Sequence, residues 1–108
     1  AFGDINPGDT VLDLGSGAGV DVFRAARLVG QEGRVIGVDF TPDMIDLATA
    51  NAAKAGLDTV EFRLGEIERL PVADGTIDLA LSNCVINLVP DKRAAFSEIH
   101  RVLKPGGR

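Results

Sequence analysis

The sequence predicts an α/β fold built on a doubly wound parallel sheet, and two observations support this prediction. Short apolar segments that are typical of buried strands alternate with longer segments of helical periodicity along the chain. A glycine-rich loop, residues 15–19, joins the first strand, residues 11–14, to the first helix, residues 20–29. Because parallel strands need a crossover that is usually a helix, this alternation predicts right-handed strand–helix–strand units.

The glycine-rich loop also predicts a ligand site. One of its glycines would permit the tight turn, and the others would let backbone N–H groups and a helix N-terminus approach a ligand closely; they are Gly15, Gly17 and Gly19. In α/β sheets, nucleotide-like ligands bind in the crevice beyond the carboxyl ends of the strands. The alternative is a plain strand-to-helix turn.

The first helix is predicted from apolar residues at helical spacing, and the second strand follows it. Val20, Phe23 and Ala26 are spaced to form one buried helix face. After a loop at residues 30–33, residues 34–38 form an apolar strand that ends at Asp39. An acid at this position, 22 residues after Gly17, is placed to accept hydrogen bonds from ribose hydroxyls.

The second helix has clear signals at both ends. Thr41 is the predicted N-cap, Pro42 occupies the first helical position and Asp43 lies in the first turn. Gly56 can adopt positive φ and ends the helix. The stripe predicted to face the core consists of Met44, Ala48, Ala52 and Ala55.

The rest of the chain predicts two more strands and a last helix. Residues 60–64 alternate as a third strand should, and residues 77–82 form a fourth strand that continues into residues 83–87. A helix begins near Asp91 and ends before residues 104–107, with an inward face formed by Phe96, Ile99 and Val102 or Leu103. These elements predict a single domain, residues 1–108.

Composition excludes several classes of function. The 108 residues carry a net charge of −5 with no basic cluster, which argues against a nucleic-acid partner. No apolar run approaches the roughly 20 residues that span a bilayer, and no leader pattern opens the chain, so we expect a cytoplasmic protein without a membrane partner. A single cysteine, Cys84, excludes an internal disulfide and a site built from several thiolates.

Five segments together resemble the class I S-adenosylmethionine-dependent methyltransferases. They are the strand and loop at residues 11–19, Asp39, Glu66 with Ile67, residues 78–83, and the Leu-Lys-Pro-Gly-Gly run at residues 103–107. Val20 stands where a dinucleotide-binding fingerprint would have its third glycine, which favours a methyltransferase over a dehydrogenase. The resemblance covers nearly the whole chain and implies a Rossmann-like fold with the first four strands in the order 3-2-1-4. It also implies S-adenosylmethionine as cofactor.

Within that class, residues 82–88 resemble the arsenite methyltransferases, as do residues 19–21, 37–44 and 65–72. In that family the cysteine at the position of Cys84 is an arsenic ligand. The resemblance therefore implies that arsenite or its thiol adduct is the substrate, that Cys84 holds As(III) through a single thiolate, and that the metalloid receives a methyl group. The alternative for Cys84 is a small buried apolar residue.

The resemblance also implies a set of cofactor-binding residues. Asp39 would bind the ribose, Phe40 and Met44 would flank the adenine, Ile67 would form a wall and Glu66 would reach the adenine amino group. Asp13 would either lie near the methionine end or orient the loop from behind it. The predicted set is Asp13, Gly15, Ser16, Gly17, Gly19, Asp39, Phe40, Met44, Gly65, Glu66, Ile67, Asn83 and Val85.

The sequence departs from the arsenite methyltransferase pattern in two ways. That family uses further cysteines, and its fold has seven strands, of which this chain supplies four. We therefore expect a domain that is incomplete at both ends, with little or no activity alone and a fourth-strand edge open to homodimerisation. Two other functions stay open: a different small-molecule methyltransferase, such as a quinone-biosynthesis relative, and an inactive cofactor-binding fragment.

Overall fold

The computed structural model describes residues 4–82 and 89–107. Strands and helices follow one another in the predicted order, with two strands in succession before the last helix, which confirms the α/β class. The elements are β1 (Thr10–Leu14), α1 (Val20–Val29), β2 (Arg34–Asp39), α2 (Pro42–Ala55), β3 (Val60–Leu64), β4 (Leu79–Ser82) and α3 (Lys92–Val102).

The four strands form one parallel sheet in the order β3-β2-β1-β4, as the sequence predicts. β1 lies between β2 and β4, and its last residue, Leu14, pairs with Val38 and with Ser82. At the end of β2, Asp39 pairs with Leu64. The carboxyl ends of all four strands therefore meet at one edge of the sheet, directly beside the glycine-rich loop.

Alternation along β1 and β2 supplies two apolar cores, one on each face of the sheet. Val11 and Val35 pack with the buried residues of α1, whereas Leu12 and Leu14 pack with Ala95 and Val102 of α3. Helices thus cover both faces, which confirms the doubly wound arrangement.

The buried helix faces differ from the predicted ones by about one residue. α1 buries Val22, Ala25, Ala26 and Val29, whereas Val20 is 66% exposed. Successive residues are rotated by about 100° around the helix axis. Burial of Val22 and Ala25 in place of Val20 and Phe23 therefore rotates the buried face away from the predicted one. Of the residues predicted to face the core, α2 buries only Ala48 and Ala52.

The last helix follows the same rule. Phe96, predicted to face inward, is 58% exposed, and the small residue Ala95 takes the buried position instead. Ile99 and Leu103 are partly buried against the core, as predicted, and Val102 is completely buried. Small residues at the contact allow α3 to approach the sheet closely.

Two element boundaries also change. β4 begins at Leu79 rather than Ile77, because the Ile77 N–H donates to the Val102 carbonyl and Ile77 bridges Leu103 beside the end of α3. Thr41 is the N-cap of α2 but makes no side-chain capping bond, whereas Asp91 caps α3 by accepting the Ala94 N–H at 3.0 Å. No helix in the described ranges has the length and apolar character needed to cross a membrane.

Candidate functional site

The glycine-rich loop needs glycine for its backbone conformation. Gly15, Gly17 and Gly19 have φ values of 71°, 54° and 96°, in the left-handed region that other residues rarely adopt. Gly19 is also the N-cap of α1, and its carbonyl accepts the Phe23 N–H at 2.9 Å. The three glycines together reverse the chain between β1 and α1.

The amides of this loop are engaged by β2. The N–H groups of Gly15 and Ser16 both donate to the Val38 carbonyl, at 2.8 and 3.0 Å, and the Gly17 N–H donates to Asp39 Oδ2 at 2.9 Å. The N–H groups at these three positions are therefore already hydrogen-bonded within the protein. They bind the loop to the end of β2.

Asp39 links the loop to the next helix. Its side chain is 9% exposed; Oδ2 accepts the Gly17 N–H, and Oδ1 accepts the Thr41 N–H at 2.9 Å. A carboxylate offers about four acceptor positions, so two backbone donors leave capacity for two more. The residue can therefore hold the loop and accept hydroxyl donors from a ligand at the same time.

The Phe62 ring packs against the glycine-rich loop. The Phe62 ring on β3 packs edge-on against Phe23 of α1, with ring centroids 6.3 Å apart. A Cβ at Gly37 would lie 2.8 Å from Phe62 Cδ1 and 2.9 Å from Ser16 Cβ, and a Cβ at Gly19 would lie 3.0 Å from Phe62 Cζ. Gly37 and Gly19 therefore leave the space that the ring fills.

Asp13 lies in β1 directly behind the loop, opposite Gly37 of β2, and is only 2% exposed. Burial, and to a smaller extent the charges of Asp21 and Asp39, together raise the pKa of this carboxyl from 3.8 to about 7. Near neutral pH the group therefore changes between a neutral acid and a carboxylate. A cation bound nearby would favour the carboxylate.

Ser16 contributes a buried hydroxyl that is not satisfied. The residue is only 8% exposed, and its Oγ has no hydrogen-bond partner among residues 4–82 and 89–107. A buried hydroxyl without a partner costs free energy, so such groups commonly mark a place where a ligand or water completes the network. This hydroxyl is in the middle of the glycine-rich loop.

A cavity of about 420 Å³ opens where the strands end, which is within the range of small-molecule sites. It brings together six of the predicted site residues: Gly15, Asp39, Phe40, Gly65, Glu66 and Ile67. Phe40 is 72% exposed, whereas Ile67 is buried. The Gly65 N–H donates to the Asp39 carbonyl at 3.0 Å and joins the two sides of the cavity.

Other predicted residues lie apart from the lining of this cavity. They are Asp13, Ser16, Gly17, Gly19 and Met44. Asp13 and Ser16 are buried, the Cβ position of Gly17 faces open space, and Met44 is 37% exposed on α2. Asn83, Cys84 and Val85 lie outside the described residues, so their predicted roles stay predictions.

Sequence reasoning missed four lining residues, namely Val38, Glu68, Val89 and Pro90. Val38 looks like an ordinary buried strand residue, and Glu68 looks like a solvated loop residue. Val89 and Pro90 come just before α3, and only the fold brings that segment to the cavity. Their sequence carries no signal for such a position.

The cavity is acidic. Three of its lining residues are acids, namely Asp39, Glu66 and Glu68, and none of the lining residues within 4–82 and 89–107 is basic. A phosphate group would meet no cationic side chain among these residues. Hydroxyl and amino groups would meet hydrogen-bond acceptors, and a cation would meet negative charge. Within the described ranges, no cluster of three or more His, Cys, Asp or Glu side chains could hold a metal ion.

Comparisons with known proteins agree with this geometry. A family model described as a methyltransferase domain matches residues 5–108. The chain is 58% identical over 108 residues to an arsenite methyltransferase of Halobacterium salinarum, covering 100% of this chain and 28% of that protein. It is 49% identical to an arsenite methyltransferase of Aquipseudomonas alcaligenes, over 93% of this chain and 31% of that protein. The chain thus spans about three tenths of these relatives.

Solved structures give the same result. An arsenic(III) S-adenosylmethionine methyltransferase from Chlamydomonas reinhardtii superimposes with a TM-score of 0.87 and 45% identity, over 95% of this chain and 38% of that one. The resemblance to arsenite methyltransferases that the motifs indicate is therefore confirmed in sequence and in fold. On its sheet order, its site geometry and the family match, the chain belongs to the methyltransferase domain family.

Proposed function

We propose that this chain is the cofactor-binding part of an arsenite methyltransferase, which transfers a methyl group from S-adenosylmethionine to trivalent arsenic held by Cys84. The family and the solved relatives indicate S-adenosylmethionine as the cofactor. The observation that supports the proposal best is the acidic cavity beside a loop whose amides already serve Asp39 and Val38. The N–H groups of residues 15–17 already donate within the protein, so they are not free to bind a pyrophosphate.

The residues present fit an adenosyl cofactor that carries positive charge. Asp39 retains acceptor positions for the two ribose hydroxyls, and Phe40 and Ile67 offer apolar surface to the adenine. The exposed Glu66 carboxylate can accept a hydrogen bond from the adenine amino group. The unsatisfied Ser16 hydroxyl lies in the glycine-rich loop and the buried Asp13 carboxyl lies behind it, so the negative charge of Asp13 would favour the cationic end of the cofactor from behind the loop.

When bound, the cofactor supplies an electrophilic methyl group on its sulfonium. A soft nucleophile needs little acid–base assistance, and alignment of the reactants with exclusion of water can contribute about 7–11 kcal/mol. As(III) is such a nucleophile and thiolates are its preferred soft ligands. Cys84 follows Ser82 by two positions, and Ser82 pairs with Leu14 immediately before the glycine-rich loop. This chain order supports Cys84 as the residue that holds arsenic.

Arsenite binding tests the role of Cys84. The unaltered chain and Cys84→Ser are each incubated with arsenite and one equivalent of a monothiol, and intact mass is measured under native conditions. We expect an arsenic adduct on the unaltered chain only. Both proteins are also titrated with S-adenosylhomocysteine, which we expect them to bind equally.

The outcomes separate the proposal from its alternatives. Equal adducts on both proteins, or none on either, would contradict arsenic binding at Cys84. Retained binding of S-adenosylhomocysteine in that case would point to another small-molecule methyltransferase in which Cys84 only packs. Absence of turnover in a methyl-transfer assay, with binding intact, would identify the chain as a cofactor-binding fragment that needs the rest of the site.

We further propose that the chain associates with itself through β4. In the part of the chain that the structure describes, β4 pairs with β1 alone, and an unpaired strand edge favours pairing with another chain. Sedimentation over a hundredfold range of concentration tests this association. A monomeric mass throughout would contradict it.

A further inference from the structure

One side of the cavity is a short segment that returns on itself, residues 65–72, here called the wall segment. It lies beyond the carboxyl end of β3, and Glu66 and Arg69 bridge its two arms in antiparallel fashion. Its apolar side chains anchor it, since Ile67, Leu70 and Val72 are 7%, 4% and 7% exposed. Its first four residues, 65–68, line the cavity together with Asp39.

Arg101 of α3 holds the far end of the wall segment. Its guanidinium donates to the Leu70 carbonyl at 3.0 Å and to the Val72 carbonyl at 2.9 Å. Glu98, one helical turn earlier, accepts two hydrogen bonds from Arg101, at 2.7 and 3.0 Å, and also accepts the Leu70 N–H at 2.7 Å. Asp74 accepts a further hydrogen bond from Arg101.

Arg63 of β3 holds the segment from another element. Its guanidinium donates to the Pro71 carbonyl at 2.7 Å, and Glu61 orients it by accepting from Nε at 2.7 Å. Pro71 in turn packs against Gly65, where a Cβ would lie 2.7 Å from Pro71 Cδ. Arg63 therefore fixes the segment at the point where it returns to its own beginning.

Two arginines thus take three successive carbonyls of the wall segment, those of Leu70, Pro71 and Val72. We propose that Arg63 and Arg101 are positioning residues that hold the wall segment in its ligand-binding shape and thereby set the preference for adenine. This inference rests on the proposed function, because the ligand read by Glu66 is there the adenine of the cofactor. Neither arginine lines the cavity, so each acts through the segment.

The physical reason is preorganisation. A loop that is already ordered loses less conformational entropy when the ligand binds. Hydrogen bonds to a charged guanidinium are about twice as strong as neutral ones, and the planar fork of arginine reaches two carbonyls at once. The hydrogen bond from Arg101 lowers the pKa of Glu98, and that from Arg63 lowers the pKa of Glu61, so both orienting groups are charged at neutral pH.

Binding of two cofactor analogues tests the inference. Arg101→Lys and Arg63→Lys keep the charge but remove the fork, and each is titrated calorimetrically with S-adenosylhomocysteine and with S-inosylhomocysteine. The second analogue has hypoxanthine in place of adenine and lacks the amino group. We expect the affinity for S-adenosylhomocysteine to fall about tenfold in each variant, since one or two charged hydrogen bonds are lost, and the preference for adenine to fall at least threefold.

The matched control is Lys104→Met, which removes the ion pair with Asp78 near the start of β1, away from the cavity. It should change neither affinity. Thermal unfolding of every variant is also recorded. A general loss of stability would weaken the binding of both analogues equally and leave the ratio of the two affinities unchanged. Measuring two arginines on different elements keeps the test decisive if one variant does not fold.

The results distinguish this inference from the proposed function. If the unaltered chain binds neither analogue, the proposed function fails. If it binds S-adenosylhomocysteine but both variants keep the ratio of the two affinities, the inference is overturned. Equal affinity of the unaltered chain for the two analogues would overturn it as well.

Discussion

The Gly17 N–H donates to Asp39 Oδ2 at 2.9 Å, and this bond joins the glycine-rich loop to the end of β2. The same carboxylate accepts the Thr41 N–H, so one side chain sets the positions of the loop and of the start of α2. Asp39 is therefore part of the framework of the site as well as a candidate ligand to the ribose.

Replacement of Asp39 by Asn tests this double role. The amide keeps one acceptor oxygen but turns an NH₂ group towards one of the two backbone donors. We expect a loss of stability of about 1–3 kcal/mol in urea unfolding and at least a tenfold loss of affinity for S-adenosylhomocysteine. Asp43→Asn, an exposed acid in the first turn of α2, is the control and should bind normally. Equal behaviour of the two variants would contradict the role of Asp39.

Gly17 and Gly75 form a matched pair for the approach of the ligand. Both have positive φ, 54° and 60°, and a Cβ at either position would meet no atom within 4 Å. Each change to Ala should cost about 1 kcal/mol because of backbone strain. Only Gly17→Ala should also weaken binding of S-adenosylhomocysteine, since only Gly17 belongs to the glycine-rich loop and bonds to Asp39. Equal affinities of the two variants would exclude close approach at Gly17.

The buried Ser16 hydroxyl gives a prediction of opposite sign for stability and binding. Because its Oγ has no partner in the described part of the chain, Ser16→Ala should leave the free energy of unfolding unchanged or raise it. Affinity for S-adenosylhomocysteine should fall several-fold if the hydroxyl completes its bonding with the ligand. Ser97→Ala on α3 is the exposed control. A large loss of stability in Ser16→Ala would show that the hydroxyl is already satisfied.

Asp13 predicts a specific dependence of stability on pH. Its pKa is raised in the folded state from 3.8 to about 7, so between these values the folded chain keeps a proton that the unfolded chain has released. The Asp13 contribution to stability is therefore complete below about pH 4 and declines by about 1.4 kcal/mol per pH unit until pH 7. Asp13→Asn should remove this decline. Unchanged pH profiles in urea unfolding would contradict the shifted pKa.

Gly37→Ala should destabilise the chain more than Gly17→Ala or Gly75→Ala, because its methyl group would meet packed atoms. The added methyl group would lie 2.8 Å from the Phe62 ring and 2.9 Å from Ser16 Cβ, in a part of the core that also carries the loop. Overpacking of this kind costs about 1–3 kcal/mol. Thermal unfolding measures the loss, and a variant as stable as the unaltered chain would show that the Phe62 ring can move aside.

The fold was predictable because its signals are local. The short apolar runs of β1 and β2, the Thr41-Pro42 start and the Gly56 end of α2 each act within a few residues. Their succession predicts parallel strands with right-handed crossovers, whereas the strand order followed from the resemblance to methyltransferases. The buried helix faces were less predictable, since Ala95 rather than Phe96 meets the sheet. Which of two neighbouring residues is buried depends on the approach of the whole helix, and the sequence does not record that approach locally.

The candidate site divides in the same way. Asp39, Gly15 and Glu66 carry recognisable patterns and do line the cavity. Val89 and Pro90 also line it, although no local pattern in their sequence indicates that position. The internal bonding of the loop amides to Val38 and Asp39 was also not predictable, because a glycine pattern is the same whether its N–H groups face a ligand or a neighbouring strand.

We expect the acidic cavity beside Asp39 to bind an adenosyl ligand that carries no phosphate groups. Calorimetric titration of the unaltered chain with S-adenosylhomocysteine, and in parallel with NAD⁺, tests it most directly. We expect saturable binding of one S-adenosylhomocysteine per chain and no detectable binding of NAD⁺. Binding of NAD⁺ with equal or higher affinity, or no binding of S-adenosylhomocysteine, would contradict it.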